Sequence, residues 1–251
     1  PPLPSQVPLA YFDYYWVLYW QGDPSVGTGQ SYNADLRYEW AKDKDNLLAI
    51  GLFYKRLRNL PEIYLIPESF ALVYTYSTRQ RRWGEIAGIE IESRKVWWET
   101  ERARFWSYAT ITISESGLER SVWGKVGRLE GRLQGHAPIV GNAGVLYSRS
   151  RWEAGVFFNY TSTQIWAIGF HRDTFPHVLE ERRLMSEAQI SYRLGERWEI
   201  RFAIWDFINQ PFRRTQRAGN ADSFRPGRDG EHSRERWAYR TYLTIRYRIS
   251  M

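Results

Sequence analysis

Residues 33 to 59 read "NADLRYEWAKDKDNLLAIGLFYKRLRN", and the alternation of their side chains decides the fold. Ala34, Leu36, Tyr38 and Trp40 alternate with Asn33, Asp35, Arg37 and Glu39, the period of two that marks a strand with one apolar and one polar face. After the polar turn "KDKDN", Leu48, Ile50, Leu52 and Tyr54 fall on one face, and the small Ala49 and Gly51 on the other. The stretch therefore predicts two strands and a turn, and its apolar face needs a cover. In a soluble sandwich a second sheet supplies that cover; in a membrane barrel lipid does.

The same alternation recurs outward from this hairpin. Phe70, Leu72, Tyr74 and Tyr76 begin a segment that runs on through "GEIAGIEIESRK", and Phe105, Ala109, Ile111 and Ile113 mark the next. Ala143, Val145 and Tyr147 lead into a hairpin with Ala154, Val156, Phe158 and Tyr160. Ala188, Ile190, Tyr192 and Leu194 precede "GER", with Trp198, Ile200, Phe202 and Ile204 after it, and Leu243, Ile245, Tyr247 and Ile249 mark the last strand. With the aromatic run "YFDYYWVLYW" at 11 to 20 as a first strand, roughly ten strands result, most at or above the ~9–11 residues that cross a bilayer at a tilt. Sandwich strands are usually nearer ~5–6 residues. Connections near 42–46, 94–103, 148–151 and 194–196 are short, whereas those near 21–31, 58–68, 114–136, 161–184 and 209–235 are mostly long and rich in Arg, Gly and Pro. Alternating short turns and long loops is the rhythm of an antiparallel up-and-down transmembrane β-barrel, so an all-β fold of that type is expected. No linker or change of composition divides residues 1–251.

Composition narrows the alternatives. Of 251 residues, 43% are hydrophobic and 25% charged, which excludes a disordered or collagen-like chain. Thirteen Trp and 17 Tyr exceed what a core of this size needs, and these are the residues that settle where apolar and wet surroundings meet. No stretch approaches 18 apolar residues, so no transmembrane helix is expected, and no basic-then-apolar leader opens the chain. Cys is absent, leaving no thiolate metal site. The net charge of +7, carried mainly by Arg, together with the aromatics also fits a soluble protein that binds single-stranded nucleic acid. Long strands and the loop rhythm oppose that reading, and no nucleic acid is expected as partner.

Several phrases resemble one family, the TonB-dependent outer-membrane receptors of the Bacteroidetes type. "GDPSVGTGQSYNADLRYEW" is similar to the family's Gly-Asn-Pro loop and the Asn-x-Asp-Leu-Arg-Tyr-Glu strand after it, and "LLAIGLFYKRLRNLPE" to the strand and Asn-Pro loop that follow. "GIEIESRK", "LQGHAPIVGNAGVLY" and "AIWDFINQPFR" resemble later elements, in the family's order. The resemblance implies the C-terminal part of a larger barrel of ~22 strands with a plugged lumen. It also implies nutrient uptake across the bacterial outer membrane, driven by the TonB complex through a plug. No plug sequence is recognisable in residues 1–251, the last residue is Met251 where the family usually has an aromatic, and Thr244 stands where Gly is common. The partners implied are a second chain or further N-terminal region that completes barrel and plug, outer-membrane lipid and lipopolysaccharide, and a SusD-like lipoprotein. A scaffold role within a larger outer-membrane complex, without transport, is the alternative.

No catalytic motif is present, and neither an enzyme activity nor a cofactor is expected. Glu90 and Glu92 share a strand face but read as solvated lumen charges. Asp43 and Asp45 lack the Gly and terminal Glu of a calcium loop and read as turn residues. His136, His171, His177 and His232 fall in or beside long loops and read as solvated, a His171–His177 metal site being the less favoured option. Asp35, Arg37, Glu39, Arg193 and Arg201 are expected to face the lumen with Arg246 and Arg248, balanced by Glu39, Glu187 and Glu199. Arg213, Arg214, Arg217, Arg225 and Arg228 in the last long loop are candidate contacts for an anionic ligand or lipopolysaccharide phosphates, which guanidinium groups suit. Tyr14, Tyr15, Trp16, Tyr19 and Trp20, with Trp40, Trp97, Trp98, Trp152 and Trp198, stand near strand ends as the girdle of a membrane barrel would. The first cluster also fits a ligand-stacking surface.

Overall fold

The computed structural model describes residues 10–13, 18–22, 27–67, 74–118, 132–169, 176–217, 230–235 and 240–247. They form strands and connections, with no helix among them. The deciding hairpin pairs β3 (Gln30–Ala41) with β4 (Leu47–Pro67) in antiparallel register, Leu36 opposite Leu52, Tyr38 opposite Ile50 and Trp40 opposite Leu48. Its turn is closed by Asp43, whose carboxylate accepts the Asp45 and Asn46 amides at 2.9 and 2.8 Å. The Asn46 side chain and the Asp45 amide hold the Asp43 carboxyl below its ordinary range. Asp45 pairs with Arg104 at 2.8 Å, so both acids are turn residues, as the spacing predicts.

From β4 the wall continues through β5 (Tyr74–Glu99), β6 (Ala103–Leu118), β7 (Ile139–Arg149), β8 (Trp152–Thr161), β11 (Arg183–Leu194), β12 (Trp198–Trp205) and β15 (Arg240–Tyr247), every neighbour antiparallel. The connections at 42–46, 100–102, 150–151 and 195–197 are tight turns at one end of this wall. At the other end, β9 (Gln164–Gly169), β10 (Val178–Glu180), β13 (Phe212–Gln216) and β14 (Gly230–Glu235) come from the long loops and build a side sheet in the order β14-β13-β10-β9. It joins the wall where Tyr64 and Leu65 of β4 run parallel to Ile168 and Gly169 of β9.

Two expected elements take another form. The run at 11 to 20 is not one strand of the wall: β1 (Ala10–Asp13) and β2 (Leu18–Gln21) are a short hairpin, and β2 lies parallel to Tyr74–Ser77 at the far end of β5. The loop expected at 58–68 is strand instead. β4 and β5 are 21 and 26 residues long, and at ~3.3 Å per residue β5 would reach ~85 Å, well beyond the ~30 Å of a hydrocarbon layer. Their outer halves project past the wall.

Period-two alternation makes the two wall faces chemically different. Tyr38, Ile50, Ile91 and Ile111 follow one another across four strands on the apolar face, and among them Tyr38 is 71% exposed. Arg37, Glu90 and Thr112 line the opposite, polar face with Glu39, Glu92 and Thr110. Aromatic rings on that face lie over glycines: a Cβ at Gly144 would come within 2.5 Å of the Tyr108 ring and 2.7 Å of the Phe157 ring, so only Gly lets those rings lie flat. The buried cluster is Leu65, Ala167 and Val178, packed by Ile63 and Trp166, and it sits in the loop layer. No described layer covers the apolar face of the wall, so a two-sheet sandwich does not account for it.

The wall has two open edges among the described residues. β3 pairs only with β4 and β15 only with β12, and all positions of both edge strands are exposed.

Candidate functional site

The polar face and the loop layer above it carry the candidate site. On the wall, Arg37 bonds Glu39 at 2.6 Å and Glu92 at 2.8 Å, and Glu92 also holds Arg94 at 2.8 Å. Across the sheet, Glu199 takes Arg201 at 2.9 Å and Arg246 at 3.7 Å, while Arg193 lies opposite Glu199 in the register. Arg37 and Arg201 are thus balanced by carboxylates, Glu39 and Glu199 from their own strands rather than from neighbouring ones, and Glu92, expected as a solvated charge, is instead 16% exposed at its side chain and paired with Arg37 and Arg94. Asp35 lies opposite Phe53 on the same face.

Near the long-loop end, residues 132–138 fold back onto this face. Leu133 covers Gly84, where a Cβ would stand 2.7 Å from the leucine methyl. The Leu133 amide donates to Ser116 Oγ at 2.9 Å, and the Gly135 amide to the Ile165 carbonyl at 2.9 Å. Gln134 ties three elements together: its Oε1 accepts the Ile63 amide at 2.6 Å, and its Nε2 donates to the Ile63 carbonyl at 3.3 Å and to the Trp166 carbonyl. His136 is buried, its two ring nitrogens bonded to Ser114 Oγ and Ser116 Oγ at 2.9 Å each. Burial, reinforced by Arg132, pushes its pKa down against a weaker opposing pull from Glu115, so the ring is neutral at pH 7. Between this segment and the wall lies a cavity of about 330 Å³ lined by Leu57, Glu62, Ile86, Gln134, His136 and Gln164 among others. Its polar lining is largely engaged in holding the segment, Gln134 with Ile63 and Trp166 and His136 with Ser114 and Ser116.

The side sheet has its own polar centre. Glu181 accepts the Thr215 hydroxyl and pairs with Arg217, whose Nε donates at 3.2 Å. Arg214 stacks 4.0 Å over Trp166 and 4.9 Å from Phe212, and Arg183 reaches Asp206 at 2.6 Å. His177 is buried, its Nδ1 accepting the Gly169 amide at 3.0 Å.

Three expectations change here. His136 and His177 are structural rather than solvated, because long loops that fold onto a wall carry their imidazoles into it. His171 lies outside the described residues, as do Arg225 and Arg228. Arg217 is only 5% exposed at its side chain; it neutralises Glu181 inside the side sheet and does not present itself to a ligand. Arg213 and Arg214 are half-buried in the same strand, where the ring planes of Trp166 and Phe212 take up the Arg214 guanidinium.

The aromatic residues separate by end. Trp40, Trp98, Trp152 and Trp198 stand beside the tight turns and are exposed, with ring pairs Trp152–Tyr192 at 4.5 Å, Trp198–Tyr247 at 4.7 Å and Trp98–Tyr147 at 5.8 Å. Tyr14, Tyr15 and Trp16 lie outside the described residues, and Tyr19 and Trp20 are in β2, away from the tight-turn end. Ser114, Ser116 and Gln134 were missed by sequence reasoning. Two serines two apart on one strand face were a usable signal, but their partner is a loop that nothing local places.

No family model and no curated protein matches the sequence. Solved structures match its fold. A point variant of the ferric enterobactin receptor of Pseudomonas aeruginosa aligns over 91% of this chain and 32% of its own, with 14% identity and a TM-score of 0.53. The copper transporter OprC aligns over 88% of this chain and 31% of its own, with 10% identity and a TM-score of 0.56. For the ferric-catecholate import receptor Fiu of E. coli K12 the figures are 86%, 27%, 14% and 0.54. The chain spans about a third of the length of these structures. The likeness is one of fold, an antiparallel barrel wall.

Proposed function

We propose that this chain is the C-terminal portion of the β-barrel of a TonB-dependent receptor, of the Bacteroidetes type, that takes up a nutrient across the bacterial outer membrane. The observation that carries the reading is the wall itself: its apolar face is uncovered and girdled by Trp and Tyr at the tight-turn end, and its polar face is laced with ion pairs. That is the inside-out arrangement of a barrel in lipid. The five ordered sequence phrases and the fold shared with ferric enterobactin, copper and ferric-catecholate transport proteins support it.

In this reading Leu36, Tyr38 and Trp40 face lipid, while Asp35, Arg37, Glu39, Arg193 and Arg201 face the lumen. The tight turns are periplasmic, and the loop layer with its 330 Å³ cavity lies at the outer mouth. Open edges β3 and β15 cannot stay unpaired in lipid, where unbonded backbone groups are costly, so further strands from the same or another polypeptide close the barrel. A plug carried by that part couples the barrel to the TonB complex. Lipopolysaccharide and a SusD-like lipoprotein are the surface partners to seek. Ferric chelates are the first cargo to test. Energised uptake of radio-iron chelates by cells carrying the native protein, lost on its deletion and on collapse of the proton gradient, is the expected result. Unchanged uptake with every chelate and other nutrient tried would leave a scaffold role as the better reading.

A further inference from the structure

The apolar face is not uniform. Where β7, β8, β11 and β12 run side by side, Ala154, Val156 and Ala188 form a floor of small side chains between Tyr147, Ile190 and Phe202, leaving a groove of about 370 Å³. The register puts these groups on one face, with Tyr147, Ala154, Ile190 and Phe202 opposite one another in one row and Val156 beside Ala188 in the next.

One row toward the tight turns, Trp152 and Tyr192 pair across the strands with their rings 4.5 Å apart. Arg149 lies opposite Trp152 on that same face, two residues along β7 from Tyr147, a step of ~7 Å. Arg151 follows in the turn. The 150–151 turn is tied to its neighbours backbone to backbone: the Ser150 amide donates to the Arg102 carbonyl of the preceding turn at 2.8 Å, and the Arg193 amide near the end of β11 to the Arg151 carbonyl at 2.9 Å. Arg102, Arg149 and Arg151 are all exposed on this rim. Most nearby carboxylates are engaged elsewhere, Asp45 and Glu99 with Arg104 and Glu199 with Arg201 and Arg246. Glu153 lies on the polar face opposite Ser148. Glu101 and Glu196 are the acids that share the rim with the arginines.

We propose that groove and rim together hold one anionic phospholipid. An acyl chain lies over Ala154, Val156 and Ala188, the Trp152–Tyr192 pair sits at the level of the glycerol backbone, and Arg149 and Arg151 take the phosphate, with Arg102 adding charge. The order apolar groove, aromatic pair, cationic rim is the order of chain, interface and headgroup in a lipid, and a guanidinium matches phosphate geometry with two donors. The inference rests on the proposal that this face of the wall meets a bilayer.

The test uses the native assembly containing this chain, purified in detergent and incubated with phosphatidylglycerol or with phosphatidylcholine of the same acyl chains, bound lipid being counted by native mass spectrometry. Phosphatidylglycerol is expected to be retained several-fold over phosphatidylcholine. The Arg149→Gln/Arg151→Gln double variant, changed only at exposed positions, should remove that preference, and Ala188→Phe should lower retention of both lipids. Equal retention by the native protein, an unchanged preference in the double variant, or retention of lipopolysaccharide alone would overturn the site. An assembly that stays monodisperse in buffer without detergent would instead overturn the membrane reading beneath it.

Discussion

At the scale of single residues, polar groups on the polar face of the wall do the fixing. His136 holds the 132–138 segment to Ser114 and Ser116, and removing the imidazole takes the partner from the buried Ser114 hydroxyl, at a cost of about 1–3 kcal/mol, while Ser116 keeps the Leu133 amide. His136→Ala should therefore speed hydrogen exchange at the Leu133 and Gly135 amides, both of which are bonded in that segment. The pKa of His136 is lowered by burial, so the folded state favours the neutral ring. Its contribution is present above the unfolded value near 6.5 and is lost as pH falls through the lowered folded value. Protection of the same two amides, taken relative to their intrinsic exchange rates, should fall as pH drops below the ordinary histidine value of about 6.5 in the native protein and lose that pH dependence in the alanine variant. Arg217 is expected to behave as a buried partner: Arg217→Ala strands Glu181 and should cost the side sheet about 3 kcal/mol. An equal loss on changing the exposed Arg182, read by protease sensitivity, would contradict that assignment.

At the scale of elements, the alternation of Leu36, Tyr38 and Trp40 with charged neighbours was enough to set the strand and which side chains share a face; the register came only with the structure. The alternation needs only the geometry of the pleat. What it could not show was where β4 ends. Pro61 suggests a break, yet it pairs with Gln80 inside a continuing strand. The Ile63 amide points away from β5, to Gln134, and Pro61, two residues earlier, points its missing N–H the same way. β3 begins at Gln30, opposite Arg58, so that side of Pro61 has no strand to disappoint. The aromatic run at 11 to 20 was misread for the complementary reason: its composition suits a strand, but pairing with the end of β5 is a long-range choice. Burial of His136, His177 and Arg217 was illegible on the same ground, since each depends on contacts between separate loops. The two faces differ in what they tolerate. Ile91→Arg, at the middle of the apolar face, should cost about 2–4 kcal/mol in lipid, whereas Thr112→Arg on the polar face should be near neutral, both read as folding free energy of the native protein in lipid vesicles.

At the scale of the whole molecule, the open edges and the uncovered apolar face belong together. A wall of this kind is stable only if strands close it and lipid coats it. The loop layer, the only place with a buried apolar cluster among the described residues, lies at one end of the wall, where the proposed function puts the outer mouth. The most direct measurement is native mass spectrometry of the detergent-extracted assembly, with peptide sequencing of every polypeptide in it. A detergent-dependent particle in which these 251 residues are joined to, or bound by, sequence that supplies further strands and a plug is the expected result. A lone chain of these residues, monodisperse in buffer without detergent, would contradict the barrel-wall reading outright.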